Sequence, residues 1–291
     1  SAGINDIRNT VDSAVTRFTA GTGAWETAGN WSRGTPTAVK DAVIDGTGAT
    51  KVVTVTGASQ AAKSLVFTGG ADDSLTISAG SLDLASASST GAGTTLTLSG
   101  GTLQGAGAVT VNGAFNWAGG TMSGAGQTVI ANGASLDVTG AVSLQRLLTN
   151  QPGGTLNLTG AGQVNMSGNA LRLDNQAGGL VHIQNNGGFA GDDSNFETII
   201  NAGTLRKTVA TGASTVSNSH FNNTSGTLDV QTGTLTVSGT FNHTGASSVI
   251  AGTINSSGGG SSSGSLALSS GTQVNLTGGT DATKVIAFDA S

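Results

Sequence analysis

The sequence predicts an all-β chain folded as a single-stranded parallel β-helix, in which short strands wind into stacked coils. Three observations predict it: a strand phrase that recurs, an almost constant interval between apolar residues, and glycines that flank the phrases. We expect residues 1–20 to form a short amphipathic helix and residues 21–291 to form the β-helix. Cysteine is absent and charged residues make up only 9% of the chain, so a disulfide scaffold and a charge-rich disordered chain do not fit.

The strand phrase consists of Thr or Ser, an aliphatic residue, a polar residue and a second aliphatic residue. Alternation with a period of two places both aliphatic side chains on one face and the polar side chain on the other. Glycine lies close to each phrase, where a corner of the coil needs a positive φ. The phrase occurs at 81–84, 95–98, 135–138, 155–158, 227–230 and 234–237.

The interval between apolar residues predicts the size of a coil. From Leu96 to Val142, the apolar positions Leu96, Leu103, Val109, Phe115, Met122, Val129, Leu136 and Val142 are six or seven residues apart. Three such steps make a coil of about 20 residues with three strands. Longer coils also occur, which favours a right-handed solenoid over the strict hexapeptide left-handed type.

A second phrase, an apolar residue with asparagine one or two positions after it, marks one corner of the coil. Asparagine tolerates left-handed backbone geometry and bonds to neighbouring main chain, so we expect the corner residues to stack from coil to coil. This predicts a structural ladder of Asn150, Asn175, Asn201, Asn222 and Asn242.

The two ends are candidate docking elements. Ile4, Ile7, Val11, Val15 and Phe18 recur at helical spacing, so the predicted helix covers the first coil or docks a partner subunit. At the other end, the strand that contains Val285, Ile286 and Phe288 has no polar cap after it. These residues are the predicted subunit contacts, with other copies of the chain or flanking repeats as partners.

Two tryptophans follow the predicted helix. Trp25 and Trp31 either seal the first coil or offer a platform on which a glycan or another partner stacks. The phrase that runs from Trp25 through Asn30, Trp31 and Gly34 to 41–44, followed by Gly-Thr-Leu repeats, resembles the start of autotransporter-type and other large β-helical adhesin passenger regions of bacteria. The resemblance covers residues from about 21 to 255. It implies an exported protein of the bacterial cell surface and transfers no catalytic residue.

Charge and hydropathy limit the partners. The formal net charge is −5 with 11 Lys and Arg, so we expect no nucleic-acid partner. No apolar run approaches the ~20 residues of a spanning helix, so we expect no membrane insertion.

Three functions remain open. The first is a non-enzymatic adhesin or stalk segment at the cell surface, with surface glycans as a partner. The second is a subunit of an extracellular filament or sheath that stacks end to end. The third is a polysaccharide-active enzyme, which needs clustered acids with a basic residue nearby.

The segment from Gln184 to Phe196 interrupts the repeat and is a candidate functional loop. The acids Asp192, Asp193 and Glu197 lie in or next to it, with His182, Arg206 and Lys207 about one coil away. Asp192 and Asp193 are the candidate ligands for a calcium ion. We expect no catalytic residue and no cofactor.

Overall fold

The computed structural model of the chain describes residues 14–46, 48–168, 171–192, 197–249, 251–268 and 271–277. The chain forms two compact units, residues 1–129 and 130–291. Each unit is a parallel β-solenoid with three sheets, which confirms the predicted fold class. The handedness of the coils stays a prediction.

The first unit contains fourteen described strands, and β15 spans the boundary between the units. In chain order they are β1 Val15–Arg17, β2 Thr22–Ala24, β3 Asp41–Asp45, β4 Val52–Val55, β5 Gln60–Ala62, β6 Leu65–Thr68, β7 Ser74–Ile77, β8 Ser81–Leu84, β9 Ser88–Thr90, β10 Thr95–Leu98, β11 Thr102–Gln104, β12 Val109–Val111, β13 Ala114–Trp117, β14 Thr121–Met122 and β15 Gln127–Ile130.

The second unit continues the same pattern. Its strands are β16 Ser135–Val138, β17 Ala141–Leu144, β18 Leu147–Asn150, β19 Thr155–Leu158, β20 Gln163–Met166, β21 Arg172–Asn175, β22 Leu180–Ile183, β23 Phe189–Gly191, β24 Thr198–Asn201, β25 Thr204–Lys207, β26 Ala213–Ser217, β27 His220–Asn223, β28 Thr227–Val230, β29 Thr234–Val237, β30 Thr240–His243, β31 Ala246–Val249, β32 Thr253–Ser256, β33 Ser265–Leu268 and β34 Gln273–Leu276.

From β6 to β32, every third strand belongs to the same sheet, so a coil passes through sheets A, B and C in turn. Sheet A of the second unit is β18-β21-β24-β27-β30, sheet B contains β16, β19, β22, β25 and β28, and sheet C contains β17, β20, β23, β26 and β29. Paired positions lie from 19 residues apart, as Thr102 and Thr121, to 30 apart, as Thr22 and Val52. The predicted period of about 20 is therefore the lower part of the observed range.

The core of each unit is a column of inward aliphatic and aromatic side chains. Strands β7, β10 and β13 of the first unit belong to sheet B. Their residues Leu75, Leu96 and Phe115 occupy one register position on consecutive coils and are 0–2% exposed. Burying a side chain of this size contributes about 1.5–3 kcal/mol. The six strand phrases coincide with β8, β10, β16, β19, β28 and β29, which confirms the two-residue alternation.

Close approach of neighbouring coils explains one of the corner glycines. Gly80 has φ +62°, and a Cβ there would lie within 1.5 Å of the carbonyl oxygen of Gly57 on the preceding coil. Any other residue would clash with that oxygen and strain the backbone.

The structure changes the prediction for the N-terminal helix. Val15–Arg17 is strand β1, parallel to β3, and Phe18 pairs in an antiparallel bridge with Trp31. The free edge of β3 offers main-chain hydrogen bonds to these residues, and that pairing takes precedence over helical spacing. The rest of the predicted helix, residues 1–13, lies outside the described residues.

Candidate functional site

The predicted tryptophan platform is buried. Trp25 is fully buried and Trp31 is 4% exposed, and their ring centroids are 4.8 Å apart at an angle of 67°. Phe18 packs edge-on against Trp31 at 5.2 Å, and Trp31 Nε1 donates to the Trp25 carbonyl oxygen at 2.8 Å. Neither indole face is open to a sugar ring. The other predicted alternative, in which the two tryptophans seal the first coil, agrees with this packing.

The predicted docking residues are mostly outside the described residues. This applies to Ile4, Ile7, Val11, Val285, Ile286 and Phe288. Of the remaining two, Val15 lies in β1 and Phe18 is 3% exposed within the tryptophan cluster. Phe18 is therefore a core residue of the first unit.

An amide ladder runs inside the second unit, at the inward end of sheet A. Asn150 Nδ2 donates to Asn175 Oδ1 at 2.7 Å, Asn175 Nδ2 donates to Asn201 Oδ1 at 2.7 Å, and Asn201 Nδ2 donates to Asn223 Oδ1 at 2.6 Å. Asn223 Nδ2 then lies 3.0 Å from His243 Nδ1. All five side chains are 0–1% exposed, so the ladder satisfies polar groups that water cannot reach.

Two of the predicted rungs, Asn222 and Asn242, are replaced by Asn223 and His243. Phe221 faces inward, so Asn222 points outward and Asn223, two positions after Phe221, points inward. Asn242 Nδ2 donates to Asn222 Oδ1 at 2.8 Å in a half-buried pair on the outer face. The prediction took the first of two adjacent polar residues, whereas the two-residue period of the strand selects the second.

The acidic segment places one carboxyl group in the interior. Glu197 is fully buried, between β23 and β24. Burial raises the pKa of Glu197, and hydrogen bonding and charge from Asp192 raise it further, whereas main-chain hydrogen bonds from Glu197 itself and from Gly168 partly oppose the rise. Asp193 and Phe196 lie outside the described residues, so the calcium hypothesis stays a prediction.

Lys207 is a second buried charged side chain that the sequence analysis did not recognise as buried. It is fully buried, and its Nζ donates to the Asn185 carbonyl oxygen at 3.1 Å and to Ser214 Oγ at 3.0 Å. Burial lowers its pKa. The signal was available, because Leu205 and Lys207 are two residues apart in one strand and must face the same way.

A polar row follows the outer face of sheet B in the second unit. Register places Asp137, Asn157, His182, Arg206 and Asp229 at one position on five consecutive coils. Asn157 Nδ2 donates to Asp137 Oδ1, and Arg206 Nε lies 2.6 Å from Asp229 Oδ2. Burial and the Arg206 charge lower the pKa of His182, and Asp229 partly opposes this.

The residues of the enzyme hypothesis are therefore divided among three environments. His182 and Arg206 lie on the outer face of sheet B, and Lys207 points into the core. Glu197 is buried at the corner between sheets C and A. Each basic residue bonds to groups other than Glu197: His182 to Thr208, Arg206 to Asp229, and Lys207 to Asn185 and Ser214.

The interrupted segment also forms a cleft on the outer face of sheet C. The cleft has a volume of about 110 Å³ and lies over β23 between β20 and β26. Gln163 lies on the β20 side and Thr215 and Ser217 lie on the β26 side. Ala190 and Asn186 lie on the coil between them, and the Asn186 side chain is close to Gly212. The described part of the predicted functional loop at 184–196 thus includes a concave surface, whose shape no sequence pattern predicted.

No group of three or more His, Asp or Glu side chains in the described parts of the chain is arranged to hold a metal ion. In the described parts of the chain, no helix is long and apolar enough to cross a membrane.

No family model, curated protein or solved structure matches this chain.

Proposed function

We propose that the chain is a non-enzymatic structural and adhesive β-solenoid of a bacterial cell surface, with surface glycans and flanking repeats as partners. The observation that carries this proposal is the chemistry of the outer rows. Thr54, Thr76 and Thr97 occupy one outward register position on three consecutive coils of the first unit. In sheet C of the second unit, Thr236, Asn255 and Asn275 are aligned in the same way.

These rows form a regular grid of uncharged hydrogen-bonding groups. Parallel strands are about 4.8 Å apart, so hydroxyl and amide groups repeat at that interval across a sheet face. Such a surface can bind hydroxyl-rich polymers by many weak contacts, and avidity then supplies the strength that single contacts lack. The low content of Lys and Arg, 11 residues in the whole chain, supports neutral rather than acidic partners.

The packing of the interior supports the structural part of the proposal. The amide ladder links the coils of β18, β21, β24 and β27, and the inward aliphatic columns exclude water. In a solenoid each repeat contacts only its neighbours, so a chain exported unfolded can fold coil by coil outside the cell.

The test is display of the chain on the surface of a non-adherent bacterium. We expect attachment under flow to glycan-coated surfaces, or between the displaying cells, above that of cells that display no insert. A triple variant, Thr54→Val, Thr76→Val and Thr97→Val, keeps shape and strand propensity but removes three hydroxyls, and we expect weaker attachment from it. Folded, displayed chain that mediates no attachment would refute the adhesive role.

A parallel assay addresses catalysis. Purified chain is incubated with neutral and acidic polysaccharides, and new reducing ends are measured. Turnover that is abolished by Glu197→Gln in a folded variant would refute the non-enzymatic assignment.

A further inference from the structure

The cleft on sheet C results from a local loss of side chains on one coil. Ala190 of β23 is paired with Asn165 of β20 and with Ser217 of β26, and all three point outward. In this outward row the two neighbouring coils present Asn165 and Ser217, and the coil between them presents only the methyl group of Ala190. Since strands are about 4.8 Å apart, the two walls are about 10 Å apart at the backbone, with one shallow coil between them.

Close packing keeps the floor of the cleft free of side chains. A Cβ on Gly188 would lie 2.0 Å from the Thr215 carbonyl oxygen, and a Cβ on Gly187 would lie 1.8 Å from the Gly162 carbonyl oxygen. Both positions therefore require glycine, because the backbones of adjacent coils approach too closely for any other residue.

Asn185 fixes the backbone under the cleft. This side chain is 7% exposed, accepts from Gly187 N at 2.9 Å and donates to the Gly162 carbonyl oxygen at 2.8 Å. Its Nδ2 also lies within 3.3 Å of the carbonyl oxygens of Thr159 and Gly160. These hydrogen bonds fix the backbone of the floor in the free protein, which lowers the entropic cost of binding.

The chemistry of the walls is uniform. Gln163 and Asn186 provide amides, Thr215 and Ser217 provide hydroxyls, and no ionisable side chain among the described residues lines the cleft. Gln163 Nε2 donates to Asn165 Oδ1 at 3.2 Å, which orients the amide on the β20 side. Amides and hydroxyls both donate and accept, so they match vicinal hydroxyls, whereas a charged ligand would find no counter-ion here.

We propose that this cleft is a binding subsite for a single neutral sugar ring, inserted edge-on between the Gln163 amide of β20 and the Thr215 and Ser217 hydroxyls of β26. The proposal deepens and rests on the adhesive function proposed above, since it names one contact through which a glycan is held. A ring held by a few uncharged contacts binds with Kd on the order of 1 mM, so the subsite acts through multivalency.

The variant that fills the cleft is Ala190→Gln, which restores the missing outward side chain. Its matched control is Ala213→Gln, the same change at an exposed outward position of β26 that does not line the cleft. A second variant, Thr215→Val, removes one wall hydroxyl with almost no change in volume.

The measurement is saturation-transfer NMR with the methyl glycosides of glucose, galactose, mannose and N-acetylglucosamine. We expect at least one glycoside to receive saturation from the unmodified protein and from Ala213→Gln. We expect at least a five-fold loss of that signal with Ala190→Gln and a smaller loss with Thr215→Val.

Three results would overturn the subsite: no transfer to any neutral glycoside, transfer that Ala190→Gln and Thr215→Val leave unchanged, or Ala190-dependent transfer only to oligogalacturonate, an acidic probe. Attachment of displaying cells is measured for the same variants. Attachment that persists in Ala190→Gln after its sugar binding is lost would refute the subsite as a contact for adhesion and leave the adhesive function standing.

Discussion

Replacement of Asn223 tests whether the amide ladder holds successive coils together, and its neighbour Asn222 provides the control. Both residues lie in β27, and both contact asparagine or histidine on adjacent coils. They differ in direction, because Asn223 points into the core and Asn222 points outward. Asn223→Ala and Asn222→Ala therefore remove the same chemical group from two sides of one strand.

The expected loss is larger on the inner side. Asn223→Ala removes the contacts with Asn201 at 2.6 Å, with the Gly226 carbonyl oxygen at 2.9 Å and with His243 at 3.0 Å. At about 1 kcal/mol for each net hydrogen bond, with a further cost for buried groups left unpaired, the free energy of unfolding falls by about 3–5 kcal/mol. Asn222→Ala removes one half-buried bond and lowers it by about 0.5–1 kcal/mol.

Hydrogen exchange measured by mass spectrometry is the suitable assay, because stability in a solenoid is the sum of local terms. We expect Asn223→Ala to reduce protection most in β24, β27 and β30, with little change in distant coils. Urea unfolding of both variants provides the overall comparison. Equal losses for the two alanine variants would refute the argument that the inner ladder, rather than strand propensity, stabilises these coils.

Three further predictions concern buried or half-buried charges, each tested by urea unfolding across pH. The pKa of Glu197 is raised in the folded chain, so the unfolded chain loses this proton at a lower pH and the free energy of unfolding falls as pH rises above 4.5. Glu197→Gln should remove this fall and should be more stable than the native chain at pH 7. The lowered pKa of His182 means that stability falls as pH decreases below 6.5, and His182→Gln should reduce that fall; an unchanged acid limb would contradict it. The lowered pKa of Lys207 means that stability rises as pH increases from the folded pKa towards 10.5, a rise that Lys207→Met should lack and that a surface change, Lys63→Met, should retain.

The coils could be predicted from the sequence because their cause is local. In Thr95–Leu98 the alternation of side chains alone determines which residues face the core, and the structure places Leu96 and Leu98 there. Where two polar residues are adjacent, as at Asn222 and Asn223, the choice depends on the phase set by Phe221. The strand at Val15–Arg17 was not predicted for another reason, since its pairing with β3 involves residues 26 positions apart, Val15 and Asp41.

The cleft could not be predicted because it depends on register between coils of unequal length. Val164 and Phe189 are 25 residues apart, whereas Phe189 and Val216 are 27 apart, so no fixed period aligns Ala190 with Asn165 and Ser217. The burial of Glu197 has a similar cause. A carboxylate in an irregular segment is ordinarily solvated, and only the packing of neighbouring coils encloses this one.

The ladder in the second unit has a direction. From Asn150 to Asn201, each side-chain amide donates to the amide of the next coil, so their dipoles point the same way and reinforce one another. Aligned dipoles leave partial charges at the two ends, as in a helix. The first rung ends in the Oδ1 atom of Asn150, which has no partner in the described protein, and the last rung ends at a histidine ring. The ladder in these coils is thus electrically polarised along the stacking direction, and a coil inserted by duplication would preserve that polarity only if it carried an asparagine in phase.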